Sequence, residues 1–404
     1  MYLTREEERI LNGELGEVKA LALKIIVKVG EVLKAERLIN ITHAHISGIS
    51  YFNIRDYGLR FIEDLKAKGA KFTVYTTANP YATVTTNFLG QTLPNNIVNK
   101  QYRIINALRD MGVNTFTCAP YYVRRPKPSE HLAWAESNAV LYANSVIGAR
   151  TNREGGPLAL MSAIVGKTYY WGMHDDGYIE PCMKVSAYTP STSVEASAIG
   201  YILGEICPNC IPLLENTVFG NEAHIRLFLA AFGTTSSSPM VILDKLTPLN
   251  KNVRERINKL RNDLEKHQIS TYDVKRLVKE YKFEEARGKG LYIIGCPHLT
   301  PQEINYILEE LLSKMSASSS IRMRELWLIS MGPLSHLGNI TKRLPRFNIK
   351  VLHGVCPIVT KLDMLGVDYV VTDSFKALHY IRKISGIEVY IDSRENVLRR
   401  FIYG

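Results

Sequence analysis

Two periods alternate along this sequence, and that alternation constrains the fold more than anything else in it. Stretches with apolar residues every three to four positions are followed repeatedly by short runs of β-branched and aromatic residues. In the first part these runs are LINIT (38–42), KFTVYTT (71–77) and VNTFTC (113–118). Between them, Asp56 can cap YGLRFIEDLKAKG, which Gly69 ends, and Gly112 closes NKQYRIINALRDMG. Residues 129–148 read as one long helix, and MVILDKL (240–246) as a strand. Helix and strand in turn at this spacing predict a parallel α/β sheet, here a main lobe over 1–249. A charged helical connector is expected over 250–290. From 291 onward LYIIG, ELWLIS, IKVLHGV, DYVVTD and IEVYID read as strands of a smaller Rossmann-like lobe, 291–404. No GxGxxG follows its first strand, so no dinucleotide site is expected.

The 404 residues are 46% hydrophobic and 22% charged, enough apolar material for two or three soluble domains. No apolar run is long enough to span a bilayer, so no membrane role is expected. The N-terminus, MYLTREEERILNGEL, is acidic and helical, with a capping box from Thr4 to Glu7, and does not read as a signal peptide. Six cysteines in so long a chain make no disulfide framework, and a reducing cytoplasm is the expected compartment. The formal charge of +11 fits a solubilising surface, a nucleic-acid face or a pull toward anionic substrates. Zinc-finger and RRM patterns are absent, and the bases of 250–290 interleave with acids as on a solvated helix face. No nucleic-acid partner is expected.

In open parallel sheets, ligands bind beyond the carboxyl ends of the strands. THAHISGIS, TTANP, TCAP, GCP, GVCP and TDS stand at those ends, and three of them carry Cys118, Cys296 and Cys356 beside a proline. A single cysteine so placed is commonly a small buried hydrophobe. Three together suit an iron–sulfur cluster that leaves one iron open as a Lewis acid. The helix start after each proline favours a thiolate, as at Thr300-Pro301-Gln302-Glu303. Cys207-Pro-Asn-Cys210 is a rival, as redox-active thiols or as cluster ligands. Cys182 has no partner pattern and reads as structural. His43 and His45 face one side of a strand and could chelate a metal, but without an acidic ligand cluster they read as hydrogen-bonding or core residues. His174-Asp175-Asp176 reads as a turn, and Glu136-Ser137-Asn138 as polar residues turned toward a site. Ser236-Ser237-Ser238 has no assigned role.

Taken together, THAHISGISYFNIRDYGLRFIEDL, YTTANP, TCAPYY, AWAESNAVLYANSVIGARTNREGGP, GCPH and GVCP resemble the large catalytic subunit of the aconitase X family. The resemblance runs over nearly the whole chain. It implies an aconitase-like, multi-lobe α/β arrangement of parallel and mixed sheets flanked by helices. It also implies a hydro-lyase with an iron–sulfur cluster, 4Fe-4S with one open iron, on Cys118, Cys296 and Cys356. The CxxC at 207–210 matches no family motif. Substrate contacts are implied at Gly48, Ile49, Ser50, Asn79, Pro80, Glu136 and Ser137, with a basic residue at Arg322 or Arg324. Family members carry a small swivelling domain, fused or as a separate subunit. This chain ends at Gly404 without one, so a heterodimer is expected, with the catalytic base, a serine, on the small subunit. The implied reaction dehydrates (R)-5-phosphomevalonate to trans-anhydromevalonate 5-phosphate, a step of isoprenoid synthesis. The alternative substrate is cis-3-hydroxy-L-proline. For a phosphorylated hydroxy acid, the cations nearest the motifs are Arg124, Arg125, Lys127, Arg150 and Arg153.

Overall fold

The computed structural model describes residues 1–315, 323–332 and 342–403, which form four sheets. The first part contributes β1 (Leu38–Asn40), β2 (His43–Ile46), β3 (Tyr75–Ala78), β4 (Leu132–Trp134) and β5 (Lys167–Tyr169). Strands β3-β2-β4 make a parallel sheet with β2 at its centre. β1 and β5 pair antiparallel as a separate ribbon.

This arrangement departs from the sequence expectation in three places. The LINIT run supplies only the ribbon strand β1, and the central strand is the HAHI segment after it. Residues 113–118 do run beside β3, with the Asn114 N–H on the Thr76 carbonyl (2.9 Å), the Ala78 N–H on the Thr115 carbonyl (3.0 Å) and the Thr117 N–H on the Ala78 carbonyl (2.9 Å). They form one isolated parallel bridge, Ala78 to Phe116, rather than a full strand. The expected helix over 129–148 opens as β4, because the fully buried Leu132, Ala133 and Trp134 pair with β2. A short apolar run does not distinguish helix from strand by spacing alone. The helix is confined to Ser137–Tyr142 and a π-type turn, Ala143–Ile147, ended by Gly148.

The second sheet joins β6 (Pro181–Ala187), β7 (Ile211–Glu215), β8 (Ile242–Leu243) and β9 (Glu265–Ile269), all parallel, in the order β8-β7-β6-β9. The 240–246 run is thus a two-residue strand. The 250–290 stretch holds two charged helices, Lys251–Leu260 and Thr271–Glu280, and also β9, which pairs with β6.

All five strands expected after 291 form: β10 (Gly290–Leu299), β11 (Arg324–Ser330), β12 (Ile349–His353), β13 (Tyr369–Thr372) and β14 (Glu388–Ile391). They are parallel in the order β12-β11-β10-β13-β14. Every residue of β10 is buried, as befits a central strand covered on both faces. Leu291, Ile293, Trp327 and Ile329 face a core shared with the other sheets, and Tyr292, Ile294, Leu326 and Leu328 face a second core against the helices Pro301–Lys314 and Arg394–Tyr403. Strand order reverses between β10 and β13, which makes their carboxyl ends a switch-point crevice. No helix among the described residues is long and apolar enough to cross a membrane.

A buried ion network braces that crevice from behind. Glu303, in the first turn after β10, pairs with Arg226 from the helix Glu222–Thr235 and, at 3.0 Å, with Arg394. Arg394 also holds Asp373 at the end of β13 (2.9 Å), and Arg226 donates to the His298 carbonyl on β10 (2.8 Å). Burial pushes the Glu303 carboxyl up, but the two guanidiniums outweigh it and hold it at about 2. The ordinary value is 4.5, so this contribution to stability is complete above that pH and is lost as pH falls toward 2. Glu303→Gln keeps the capping geometry but leaves the buried Arg226 without its carboxylate and Arg394 with Asp373 alone, and is expected to cost roughly 3–5 kcal/mol. Urea unfolding across the acid range is the check. The wild type should lose stability steeply there, and the variant should show a flatter acid limb.

Candidate active site where two sheets meet

A cavity of about 500 Å³ lies between the carboxyl ends of the first and third sheets. Ser47 and Gly48 reach it from the end of β2, Asn79 and Pro80 from β3, and Glu136 and Ser137 from β4. Cys118 follows the bridge at Phe116. From the third sheet come Cys296 on β10, Cys356 just past β12, and Lys376 in the first turn after β13. The three strand-end cysteines therefore line one cavity.

Each cysteine is set by its local backbone. Gly295 has φ +122°, and a Cβ there would sit 2.7 Å from the Ile329 carbonyl oxygen, so only glycine lets β10 turn Cys296 inward against β11. β10 continues to Leu299 before the capped helix begins at Pro301, so Cys296 is not at that helix's N-terminus. Cys356 does stand at the N-cap position of a short 3-10 turn, Pro357–Val359, whose Ile358 and Val359 N–H groups lower its thiol against the effect of burial. Cys118 receives the His298 N–H at 3.4 Å. Burial pushes all three thiols up: Cys356 to about 11, Cys296 to about 12, and Cys118 higher still. Without a compensating cation they are neutral and weakly nucleophilic at physiological pH.

Glu136 is the polar centre of the cavity. Its carboxylate accepts from Lys376 Nζ (2.5 Å), Asn79 Nδ2 (2.7 Å) and Asn138 Nδ2 (2.9 Å). Burial works against ionisation, yet Lys376 and Asn79 hold the carboxyl at about 2. Burial likewise pulls Lys376 down, but Glu136 and the neighbouring Cys296 outweigh it and the ammonium is held above its usual range. Behind Asn79 stands a chain of hydrogen bonds. His45 Nε2 meets Asn79 Oδ1 (2.8 Å), and the Thr77 hydroxyl lies between His45 Nδ1 (2.7 Å) and His43 Nε2 (2.9 Å). One set of tautomers satisfies every bond, with His43 donating to Thr77, Thr77 to His45, His45 to Asn79 and Asn79 to Glu136. Burial lowers both imidazoles, His45 to about 4, which keeps them neutral for this task. The histidines are hydrogen-bonding groups, as their sequence context indicated.

Several sequence-level site residues are not gathered here. Ile49 is buried, its carbonyl bound by Gln101 (3.1 Å), and Ser50 donates to the Val359 carbonyl (2.8 Å); both support the loop that presents Gly48. Arg150 is spent on Asp176 (2.8 Å) and on backbone carbonyls, away from the cavity. Arg124 is paired with Glu130, and neither it, Arg125 nor Lys127 lines the cavity. Arg324 begins β11 at the opposite end of the sheet and donates to the Arg400 carbonyl. Arg322 lies outside the described residues. Arg153 does line the cavity, anchored to the Ser236 and Gly233 carbonyls. His174-Asp175-Asp176 forms the expected turn. Sequence reasoning missed Lys376, Tyr380 and Lys383, which share one helix face with spacings of four and three. Their signal was present: this is the first helix after the TDS strand end.

A second group of three cysteines exists. Cys182 and Cys210 form a disulfide, and Cys207 lies beside them, with all three sulfurs within 4.8 Å of one another. The unpartnered reading of Cys182 is corrected accordingly. None of the three lines the cavity. A three-cysteine group is consistent with an iron–sulfur cluster, but spacing separates the two groups. Thiolates on three different irons must stand farther apart than ligands of one ion. The cavity cysteines are not gathered within 4.8 Å, whereas Cys182, Cys207 and Cys210 are.

Family models for the aconitase X first, second and third domains match residues 1–177, 181–279 and 290–402. The chain is 37% identical to the phosphomevalonate dehydratase large subunit of Aeropyrum pernix, over 96% of this chain and 97% of that one. It is 34% identical to cis-3-hydroxy-L-proline dehydratase of Pseudomonas aeruginosa, over 60% of this chain and 42% of that one. The crystal structure of Thermococcus kodakaraensis aconitase X in its holo form superposes with a TM-score of 0.87 at 32% identity, covering 99% of both chains. The chain belongs to the aconitase X family of dehydratases.

Proposed function

We propose that this chain is the large subunit of a hydro-lyase that dehydrates (R)-5-phosphomevalonate to trans-anhydromevalonate 5-phosphate. In this reading Cys118, Cys296 and Cys356 hold an iron–sulfur cluster and a small subunit closes the cavity. The observation that carries it is the convergence of three soft sulfur donors with an electropositive, largely buried polar cluster. Arg153, Lys376 and Lys383 face the cavity against the single carboxylate of Glu136. That balance suits a dianionic or trianionic hydroxy acid better than a zwitterionic imino acid. The Aeropyrum relative's name supports both the substrate and the small partner.

The donor set fits the cluster. Three free thiols that line one cavity form no disulfide with one another, and an iron centre would supply the positive charge that makes them thiolates. When bound, a cluster with one iron free of cysteine supplies a Lewis acid for the departing hydroxyl.

The chain's own residues bind and orient. Lys376 has three donors; Glu136 takes one and Ser137 Oγ (3.3 Å) another, which leaves one for a substrate carboxylate. Lys383, two helical turns on and exposed at the mouth, is placed for the remote phosphate. Removing the proton next to the carboxylate requires a base tuned near neutral pH. Glu136 at about 2 is too weak, Lys376 is held protonated, and burial drops His298 to about 3. This supports a base carried by the partner subunit.

Three outcomes follow. Cys118→Ser, Cys296→Ser and Cys356→Ser should each abolish the visible absorption of the anaerobically purified holoprotein, while Cys207→Ser keeps it; the reverse pattern overturns the ligand assignment. The chain alone should neither dehydrate substrate nor exchange its α-proton with deuterated water, and turnover without a partner sinks the division of labour. With the partner, 5-phosphomevalonate should be turned over far better than mevalonate. Lys383→Ala should then raise KM roughly tenfold to a hundredfold, the value of one charge-assisted hydrogen bond. Equal turnover of the two acids, or preference for cis-3-hydroxy-L-proline, would move the enzyme to the other substrate class.

A further inference from the structure

We propose that Cys182, Cys207 and Cys210 form, in the reduced chain, a three-thiolate site for one soft divalent cation such as Zn2+. The site is separate from the cavity and lies at the amino end of β6 and β7, the opposite end from the carboxyl termini where α/β sites usually form.

Three observations place the sulfurs together. First, Cys182 is the extra residue of a bulge: Pro181 pairs with Ile211 and Met183 with Pro212, so Cys182 has no partner on β7. A bulge re-aims its side chain, here toward the turn that leads into β7. Second, that turn is Cys207-Pro-Asn-Cys210, whose spacing puts two sulfurs on one side of a tight loop. Third, the turn is fixed from behind by the serines to which the sequence assigned no role. Ser236 Oγ donates to the Cys207 carbonyl (2.7 Å), and the Ser237 N–H donates to the Pro208 carbonyl (2.7 Å). The loop is therefore held in place whether or not its sulfurs are linked.

The spacing is that of ligands on one ion. Zinc–thiolate bonds of about 2.3 Å in a tetrahedron put neighbouring sulfurs about 3.8 Å apart. Cys182 Sγ and Cys207 Sγ are 3.7 Å apart. A disulfide needs two cysteines, and Cys207, fully buried against the pair, adds nothing to that crosslink. Three sulfurs leave a fourth position open to water. To form the site, a dithiol reductant gives two electrons and two protons to the Cys182–Cys210 bond and closes its own disulfide. Cation binding then releases the three thiol protons to solvent.

The test is cysteine alkylation of the full-length holoprotein after dithiol reduction, with and without ZnCl2, read peptide by peptide so that Cys118, Cys296 and Cys356 are scored separately. Zinc at ten times its dissociation constant or more should slow alkylation of Cys182 and Cys210 roughly tenfold. The variant C182S, which alters an exposed bulge residue, should abolish zinc protection of Cys210. Equal alkylation with and without zinc overturns the proposal. So does a Cys182–Cys210 bond that persists through reduction, or protection of Cys210 that survives in C182S. None of these outcomes bears on the cluster assignment in the cavity.

Discussion

The buried ion pair between Glu136 and Lys376 is the contact on which the site depends. Glu136 leaves the end of β4 in the first sheet, and Lys376 enters the helix after β13 in the third. Taking both charges out of water costs several kcal/mol per ion, and a single Coulomb contact seldom offsets that. Here the carboxylate has two further donors, Asn79 and Asn138, and the ammonium has Ser137. The pair works beside a backbone bridge from Tyr81 to Val355, where the Cys356 N–H donates to the Tyr81 carbonyl (2.8 Å), to couple the two sheets. Together these contacts hold the cysteine on the first-sheet side near the two on the third-sheet side.

How far this was legible in the sequence differs between the two halves. The third sheet was readable strand by strand, because the inner strands β10, β11 and β13 are almost wholly buried and rich in apolar residues, and the edge strands β12 and β14 still carry short β-branched and aromatic runs. The first sheet was not, because its central strand contains His43 and His45. Neither residue favours a buried strand by itself. Both become acceptable only through Thr77 and Asn79, thirty-odd positions away, which no local pattern reveals. The same long-range pairing turned Leu132–Trp134 from an apparent helix into β4.

The candidate site was legible where function rests on backbone position and obscure where it rests on direction. The cysteines stand at strand ends, and strand ends in parallel sheets converge, so their meeting could be anticipated. Arginines near motifs in sequence could not be sorted that way. Arg150 and Arg153 are three apart, yet Asp176 captures one and the cavity keeps the other. Lys376, two residues past the TDS strand end but outside the family motifs quoted, proved central because the helix after β13 starts at the switch point.

The pKa pattern carries this logic one step further. Every titratable group that defines the centre of the cavity is driven away from neutrality. Glu136 falls to about 2 and His298 to about 3, Lys376 rises, and the thiols rise. A site built to move protons keeps at least one group poised near the working pH. A site built to hold fixed charges does the opposite, since a fixed charge in a dry cavity orients an ion without reorganising when the reaction occurs. The cavity of this chain has the second pattern: its carboxylate and ammonium are held ionised, and none of Glu136, Lys376 or His298 is poised near neutral pH.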